Sequence, residues 1–316
     1  MSKLIRFLKD WTLPVAIAVG TVCYLTFYYV PQLDTLGNEL SPVFDVIFPL
    51  FVFLTLLITF CKVDFHQMRP HRWHVGILAA QLLLVALNIG VIFWVQADAS
   101  RKLLAEALLT CIIGPAASAS PAVVGKLGGN ISTMTTYVLI SSLFSSLLIP
   151  IVFPLLEPAA EITFFSAFLI ILEKVSIVLL LPLVLGWLIQ HYAKSLCARI
   201  VAMRNLSFYT WAISLSITTG ITVKNIVHSE GSLALLLAIA LATFLLCFVQ
   251  FGIGRAVGRH LGEEVNAGQA LFQKNTALSI WVAYMYLHPV ASIGAGCYVL
   301  WQNIINSLEL WQYQKR

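Results

Sequence analysis

Four consecutive polar residues, Gln273, Lys274, Asn275 and Thr276, interrupt a long apolar stretch in the last quarter of the chain. The stretch Gly114-Pro115-Ala-Ala-Ser118-Ala-Ser120-Pro121 interrupts another one, some 158 residues earlier. Its two prolines withhold backbone donors and clash with the preceding turn, so an interruption of the helix is expected there. Inside a membrane, freed backbone groups persist only where protein or a wet cavity surrounds them, and a lysine at mid-depth costs about 2.5–3.5 kcal/mol on insertion scales. The chemistry such a pair of breaks offers is recognition of charge. Half-helix N-termini attract anions and C-termini attract cations, and a lysine adds three donors and no acceptor. Lys274 could also form a Schiff base, as in retinal proteins, but two broken helices fit that poorly. The seven histidines and six cysteines have neither metal-ligand nor disulfide spacing.

The elements that must position these residues are membrane helices. Of 316 residues 59% are hydrophobic and 10% charged, against about 25% charged in soluble domains. Apolar runs at 12–30, 43–61, 74–96, 103–125, 131–154, 165–190, 206–224, 231–254, 266–287 and 289–311 predict ten spans. They lack the alternation of outer-membrane strands, which leaves helices that satisfy their own backbone groups. The fold expected is all-α and integral to the membrane, one domain over 1–316, with its short connections leaving no room for a soluble domain. The segment 1–11 is basic and is read as leading into an uncleaved first span.

Charge supports the count. With the N-terminus inside, all but five of the 19 Lys and Arg fall on the cytoplasmic side: Arg101, Lys102 and Lys224 are outside, and Lys174 and Lys274 lie within spans. Both termini are then cytoplasmic, in the plasma (inner) membrane, and the net charge of +5 is topological and implies no nucleic-acid partner.

Hydropathy repeats at an offset of roughly 157–161 residues. The repeats are 12–154 and 165–311. Five helices per half is an odd number, so the second half enters the membrane inverted, a plan common in secondary transporters. Both breaks fall in the fourth helix of their half, at the expected site. Gln81, Gln302, Asn303, Asn306 and Glu309 are further candidates for lining it, with interhelical hydrogen bonding as the alternative. Asp45, Glu173 and Lys174 are assigned to structure, and the small-residue runs 141–146 and 214–220 to close helix packing.

At these segments the chain resembles the bile acid:sodium symporter family, as a divergent, bacterial-type member. Gly114–Ser120 is similar to the family's Pro-Gly-Gly-Thr-Ala-Ser-Asn segment in span four. Gln273-Lys-Asn-Thr-Ala-Leu278 is similar to its Gln-Asn-Ser-Gly-Leu in span nine, and Trp301-Gln302-Asn303 to its Trp-His-Asn in span ten. Lys62-Val-Asp-Phe, with Ala79-Ala-Gln81 beyond, resembles its loop and third helix. The resemblance implies a core of helices 3–5 and 8–10 around two crossing broken helices, beside a panel of helices 1, 2, 6 and 7. It implies transport of an organic anion (a bile acid, steroid conjugate or small carboxylate), usually with sodium, by alternating access. Asn275, Gln302 and Asn303 then fall on substrate-facing positions, joined by Ser118 and Thr276 in the breaks.

The family's sodium ligands carry over unevenly. Ser120 and Gln81 remain. Pro121 replaces an Asn, Met134 and Val138 stand where span five has hydroxyls, Ala270 stands at a glutamate, and Lys274 at a glutamine. The expectation is a secondary transporter, acting as a monomer, that is not conventionally sodium-coupled. Lys274 would either couple transport to H+ or remain charged as a surrogate ion. The alternatives are a Na+ symporter with a rearranged site using Gln269 or Gln273, an exporter or antiporter, and a non-transporting sensor of the same fold.

Overall fold

The computed structural model describes residues 12–62, 68–157, 163–203, 206–229 and 231–315. The basic segment 1–11, most of the Lys62-Val-Asp-Phe motif and the side chain of Asp45 lie outside what is described. The chain is all-helical, with fourteen α-helices among the described residues. They are α1 (Thr12–Tyr29), α2 (Asp34–Cys61), α3 (Arg72–Val95), α4 (Ala99–Ile113), α5 (Ser120–Lys126), α6 (Ile131–Leu156) and α7 (Phe164–Leu179). After these come α8 (Leu181–Tyr192), α9 (Lys194–Ala202), α10 (Leu206–Val227), α11 (Leu233–Leu261), α12 (Glu264–Phe272), α13 (Thr276–Tyr286) and α14 (Pro289–Gln314).

Local sequence explains where they stop and start. Asp98, Asn130 and Ser232 cap α4, α6 and α11 by accepting the backbone N–H three residues on. Gly262 closes α11 at φ 77°, a conformation that favours glycine. By length and composition Arg72–Val95, Ile131–Leu156, Phe164–Tyr192 and Leu233–Leu261 can each cross a membrane. Two predicted spans, 103–125 and 266–287, are each divided into two short helices. The span predicted as continuous over 165–190 is interrupted at Leu180, because Pro182 in the first turn of α8 brings no N–H to continue the ladder. The short α9 was not foreseen.

The outward faces are as apolar as the inward ones. On α11, Leu233, Leu237, Leu241 and Leu245 form an exposed stripe, while Thr243, Cys247, Gln250 and Gly254 are buried on the opposite face. In water such a stripe would be unstable; against lipid tails it costs nothing, and the polar groups turn inward. Here the periodicity is that of a helix with lipid on one side and protein on the other.

The centre is a continuous cluster drawn from α2, α3, α4, α6, α7, α13 and α14, including Leu56, Val85, Leu109, Phe153, Val175 and Ile280. Close backbone approach locks α4 beside α14. A Cβ on Gly294 would run into the Ala107 carbonyl, which belongs to a rigid helix. Gly294→Ala is therefore expected to destabilise the protein by about 1–3 kcal/mol, read as a lower thermal midpoint of the detergent-purified protein. An unchanged midpoint would mean that the two helices can separate freely.

Candidate functional site

The two breaks meet. α4 ends at Ile113, and Gly114 turns the chain out of the helix at φ −64°, ψ 154°. α5 starts at Ser120, with Pro121 in its first turn, where its missing N–H costs nothing. In the second break α12 ends at Phe272 and α13 starts at Thr276, where the Asn275 side chain accepts the N–H of Leu278 at 3.3 Å. Between these ends Ala116 and Lys274 pair as an antiparallel β-bridge. The Ala117 N–H donates to the Gln273 carbonyl at 2.8 Å, and the Asn275 N–H to the Pro115 carbonyl at 2.9 Å. Proline lacks a donor but keeps its acceptor, and the bridge uses that acceptor.

Each half-helix C-terminus leaves carbonyls that must find donors, and side chains from neighbouring helices supply them. Gln81 of α3 points its amide nitrogen at the carbonyls of Ile112, Ile113 and Gly114, at 3.0, 3.2 and 3.1 Å. Ser145 of α6 donates to Ile113 at 3.0 Å, and Gln250 of α11 to Cys111 at 3.2 Å. At the other break the Tyr298 hydroxyl donates to the Phe272 carbonyl at 2.8 Å and accepts from Gln250 at 2.8 Å. The bridge residues are held in matching ways. The Ala116 N–H donates to Ser141 Oγ at 3.1 Å, and the Lys274 N–H to Gln302 Oε1 at 3.1 Å. Ser141 lies on the helix after the first break and Gln302 on the helix after the second.

The Lys274 side chain is fully buried and donates from Nζ to the Gly114 carbonyl at 3.2 Å. Its Nζ therefore sits at the C-terminal, negative end of α4. Among the described residues no carboxylate forms an ion pair with it.

A small cavity opens on the crossing. It is lined by Ala117, Ser118, Lys274, Asn275, Thr276 and Ala277 from the breaks, by Val52, Thr55 and Leu56 of α2, and by Ser214 of α10. Its free space is about 20 Å³, enough for a water molecule and far too little for an organic anion in this conformation.

Of the residues expected to bind substrate, Ser118, Asn275 and Thr276 line this cavity. Gln302 and Asn303 do not. Gln302 spends its amide on both backbone groups of Lys274, and Asn303 donates to Val299 on its own helix. Of the residues expected at the ion site, Lys274 reaches the cavity, while Ser120, Gln81 and Gln273 are buried outside its lining. Gln81 was expected as an oxygen ligand. It instead presents nitrogen to the break, because three carbonyls can only accept, and its Oε1 has no partner. Met134, Val138 and Ala270, at the other ion-ligand positions, pack together with Ala116 and Leu271 in one apolar cluster. Sodium needs converging oxygens, so the residues present there do not fit it.

Glu309 pairs with Arg255 and accepts from Gln269 Nε2 at 2.7 Å, and Asn306 accepts from the same amide at 3.0 Å. Neither lines the cavity. Glu173 and Lys174 are exposed on α7. The sequence reading missed Gln250, Tyr298, Ser145 and the buried Glu106. For Gln250 and Glu106 the signal was present, since each is a polar residue inside an apolar run and carries the insertion cost that flagged Lys274.

A bundle of apolar-surfaced helices that turns its polar groups inward onto two broken segments defines a multi-pass membrane protein organised around a buried site. The family model described as Sodium Bile acid symporter family matches residues 49–229, more than half the chain, and the chain belongs to that family. It is thus a membrane transporter handling a small solute, not an enzyme. The match runs from α2 to α10 and includes the first break; Lys274 lies beyond its end. No curated protein matches the chain.

Proposed function

We propose that the chain is a secondary active transporter of an organic anion, of the bile acid, steroid-conjugate or small-carboxylate class. It works by alternating access around the Ala116–Lys274 crossing and without conventional sodium coupling. The proposed frame is ten spans in two inverted repeats, 12–154 and 165–311, with both termini cytoplasmic. α3–α6 and α11–α14 form the core; α1, α2, α7, α8 and α10 form the panel. The matching support of the two bridge residues, by Ser141 in one half and Gln302 in the other, favours the repeat.

One observation carries the coupling claim: the ammonium of Lys274 is seated on the Gly114 carbonyl, where the resemblance would put a sodium ligand. It acts as a tethered cation that fixes the two breaks together. Ser118, Asn275 and Thr276, with the N-terminus of α13, then receive the acidic group of the substrate. A rearranged sodium site also has one observation in its favour. The oxygens Ser120 Oγ, Gln81 Oε1, Gln269 Oε1 and Gln273 Oε1 are buried without partners.

Thermal-shift screening of bile acids, steroid sulfates and small carboxylates, followed by counterflow of the hits in proteoliposomes, tests the transport reading. At least one anion is expected both to raise the melting temperature and to exchange across the bilayer. Stabilisation by anions with no counterflow would make the protein a sensor.

A further inference from the structure

Helix α10 is fastened to α1 on one side and leans on α14 on the other. Towards α1 the backbones approach closely: a Cβ on Gly20 would run into the Ser216 carbonyl, and the Ser216 hydroxyl donates to the Ala16 carbonyl at 2.8 Å. Towards α14 the contact runs antiparallel and covers only the first half of that helix. Asn225 Nδ2 donates to Ser292 Oγ at 2.6 Å, Thr222 closes on Gly296, and Ala212 and Leu215 pack with Val299. All of these residues are buried. The hydroxyls are also anchored on their own helices, Ser292 donating to the Pro289 carbonyl at 2.7 Å and Thr222 to the Thr218 carbonyl at 2.8 Å.

The face of α14 that carries Ser292, Gly296 and Val299 continues at helical spacing through Asn303, Ser307 and Leu310. There the cover thins. Asn303 and Leu310 are half-buried and Ser307 is exposed, while the lipid-facing positions Leu300, Ile304 and Leu308 lie further round the helix. The Asn303 amide nitrogen and the Ser307 hydroxyl turn back to their own helix, and Asn303 Oδ1 has no partner among the described residues. An unpaired amide oxygen is costly against hydrocarbon, so this stretch faces water. The change from sealed to wet falls at the level of the crossing. Gln302, beside Asn303, holds the Lys274 backbone, and the cavity at the crossing reaches Ser214 of α10.

We propose that the Asn225–Ser292 and Thr222–Gly296 contacts form the outer gate of the transport path, shut in this conformation, and that the stretch from Asn303 to Ser307 borders its cytoplasmic mouth. This rests on the alternating-access reading and the orientation proposed above. Opening the gate requires α10, carried with α1, to part from the first half of α14. Among the described residues no ion pair joins the two helices, so what parts is a hydrogen bond and contacts between small side chains.

Labelling of introduced cysteines by a membrane-impermeant maleimide, in sealed vesicles of either orientation, tests the gate. Cys23, Cys197 and Cys297, which are not buried, are first replaced by serine. Ser307→Cys is expected to react from the cytoplasmic side alone. Ser118→Cys, in the cavity, is expected to react faster from that side too. A Cβ at position 296 would run into the Thr222 side chain, so adding Gly296→Ala forces the gate and should speed outer labelling of Ser118→Cys at least about tenfold. Adding Thr222→Ala, which removes the two nearest obstructing atoms, should reverse that gain. Should Gly296→Ala fail to fold, Asn225→Ala weakens the gate by removing its hydrogen bond and is read in the same way. Outer labelling of Ser118→Cys that ignores the gate substitutions, or labelling of Ser307→Cys from the outer side, would overturn the proposal. The labelling needs no substrate, so a protein that labels as expected but exchanges no anion would lose the transport reading alone.

Discussion

Lys274→Met is expected to reduce substrate counterflow at least about tenfold while leaving a folded protein. Methionine fills a similar length of apolar space, so the packing around the side-chain stem survives. What it removes is the charge. The Gly114 carbonyl loses its ammonium donor, and the negative end of α4 loses its compensation. A buried acceptor stripped of a partner costs about 1–3 kcal/mol, and Gly114 retains one donor in Gln81. The variant should therefore fold with a lowered melting temperature but hold the two breaks less firmly. Counterflow in proteoliposomes measures the effect. Wild-type counterflow in Lys274→Met would remove Lys274 from the mechanism.

Gln81 carries the second large expectation, through the difference between two substitutions. Gln81→Leu removes the donor from three carbonyls. Ile113 still has Ser145 and Gly114 still has Lys274, so the cost concentrates on Ile112 and amounts to about 1–3 kcal/mol. Gln81→Glu is expected to be the more damaging change, because it turns a carboxylate towards three carbonyl oxygens. If Gln81 instead served a cation through its oxygen, the order would reverse, since a carboxylate is the better cation ligand. Melting temperatures of the two variants, compared in one detergent, decide the order.

Much of this architecture could be read from residue types. Pro115 and Pro121 located the first break, and the polar run from Gln273 to Thr276 located the second, because in lipid a missing backbone donor or a buried charge has few tolerated positions. The partners of the freed carbonyls could not be read. A serine in a membrane helix ordinarily bonds back to its own helix, as Ser142 does to Val138. The run 141–146 therefore reads as packing, and only the tertiary position of the break singles out Ser141 and Ser145. Gln81 was legible as a functional candidate, but a glutamine offers both a donor and an acceptor. Which end is used depends on what lies opposite, three carbonyls in this case. The interruption at Leu180 was missed although Pro182 stood in the run, because the apolar residues continue on both sides of it. Asn303 stands at a motif position that suggested the substrate, and in this conformation its amide turns back to Val299.

On the proposed reading the Lys274 ammonium at the crossing stands where the resemblance puts a sodium ligand. Uptake of a counterflow-positive anion into proteoliposomes, driven in turn by an inward sodium gradient and by an inward proton gradient at matched membrane potential, tests it most directly. No acceleration by sodium over a potassium control is expected. Strong uptake driven by sodium alone would contradict it.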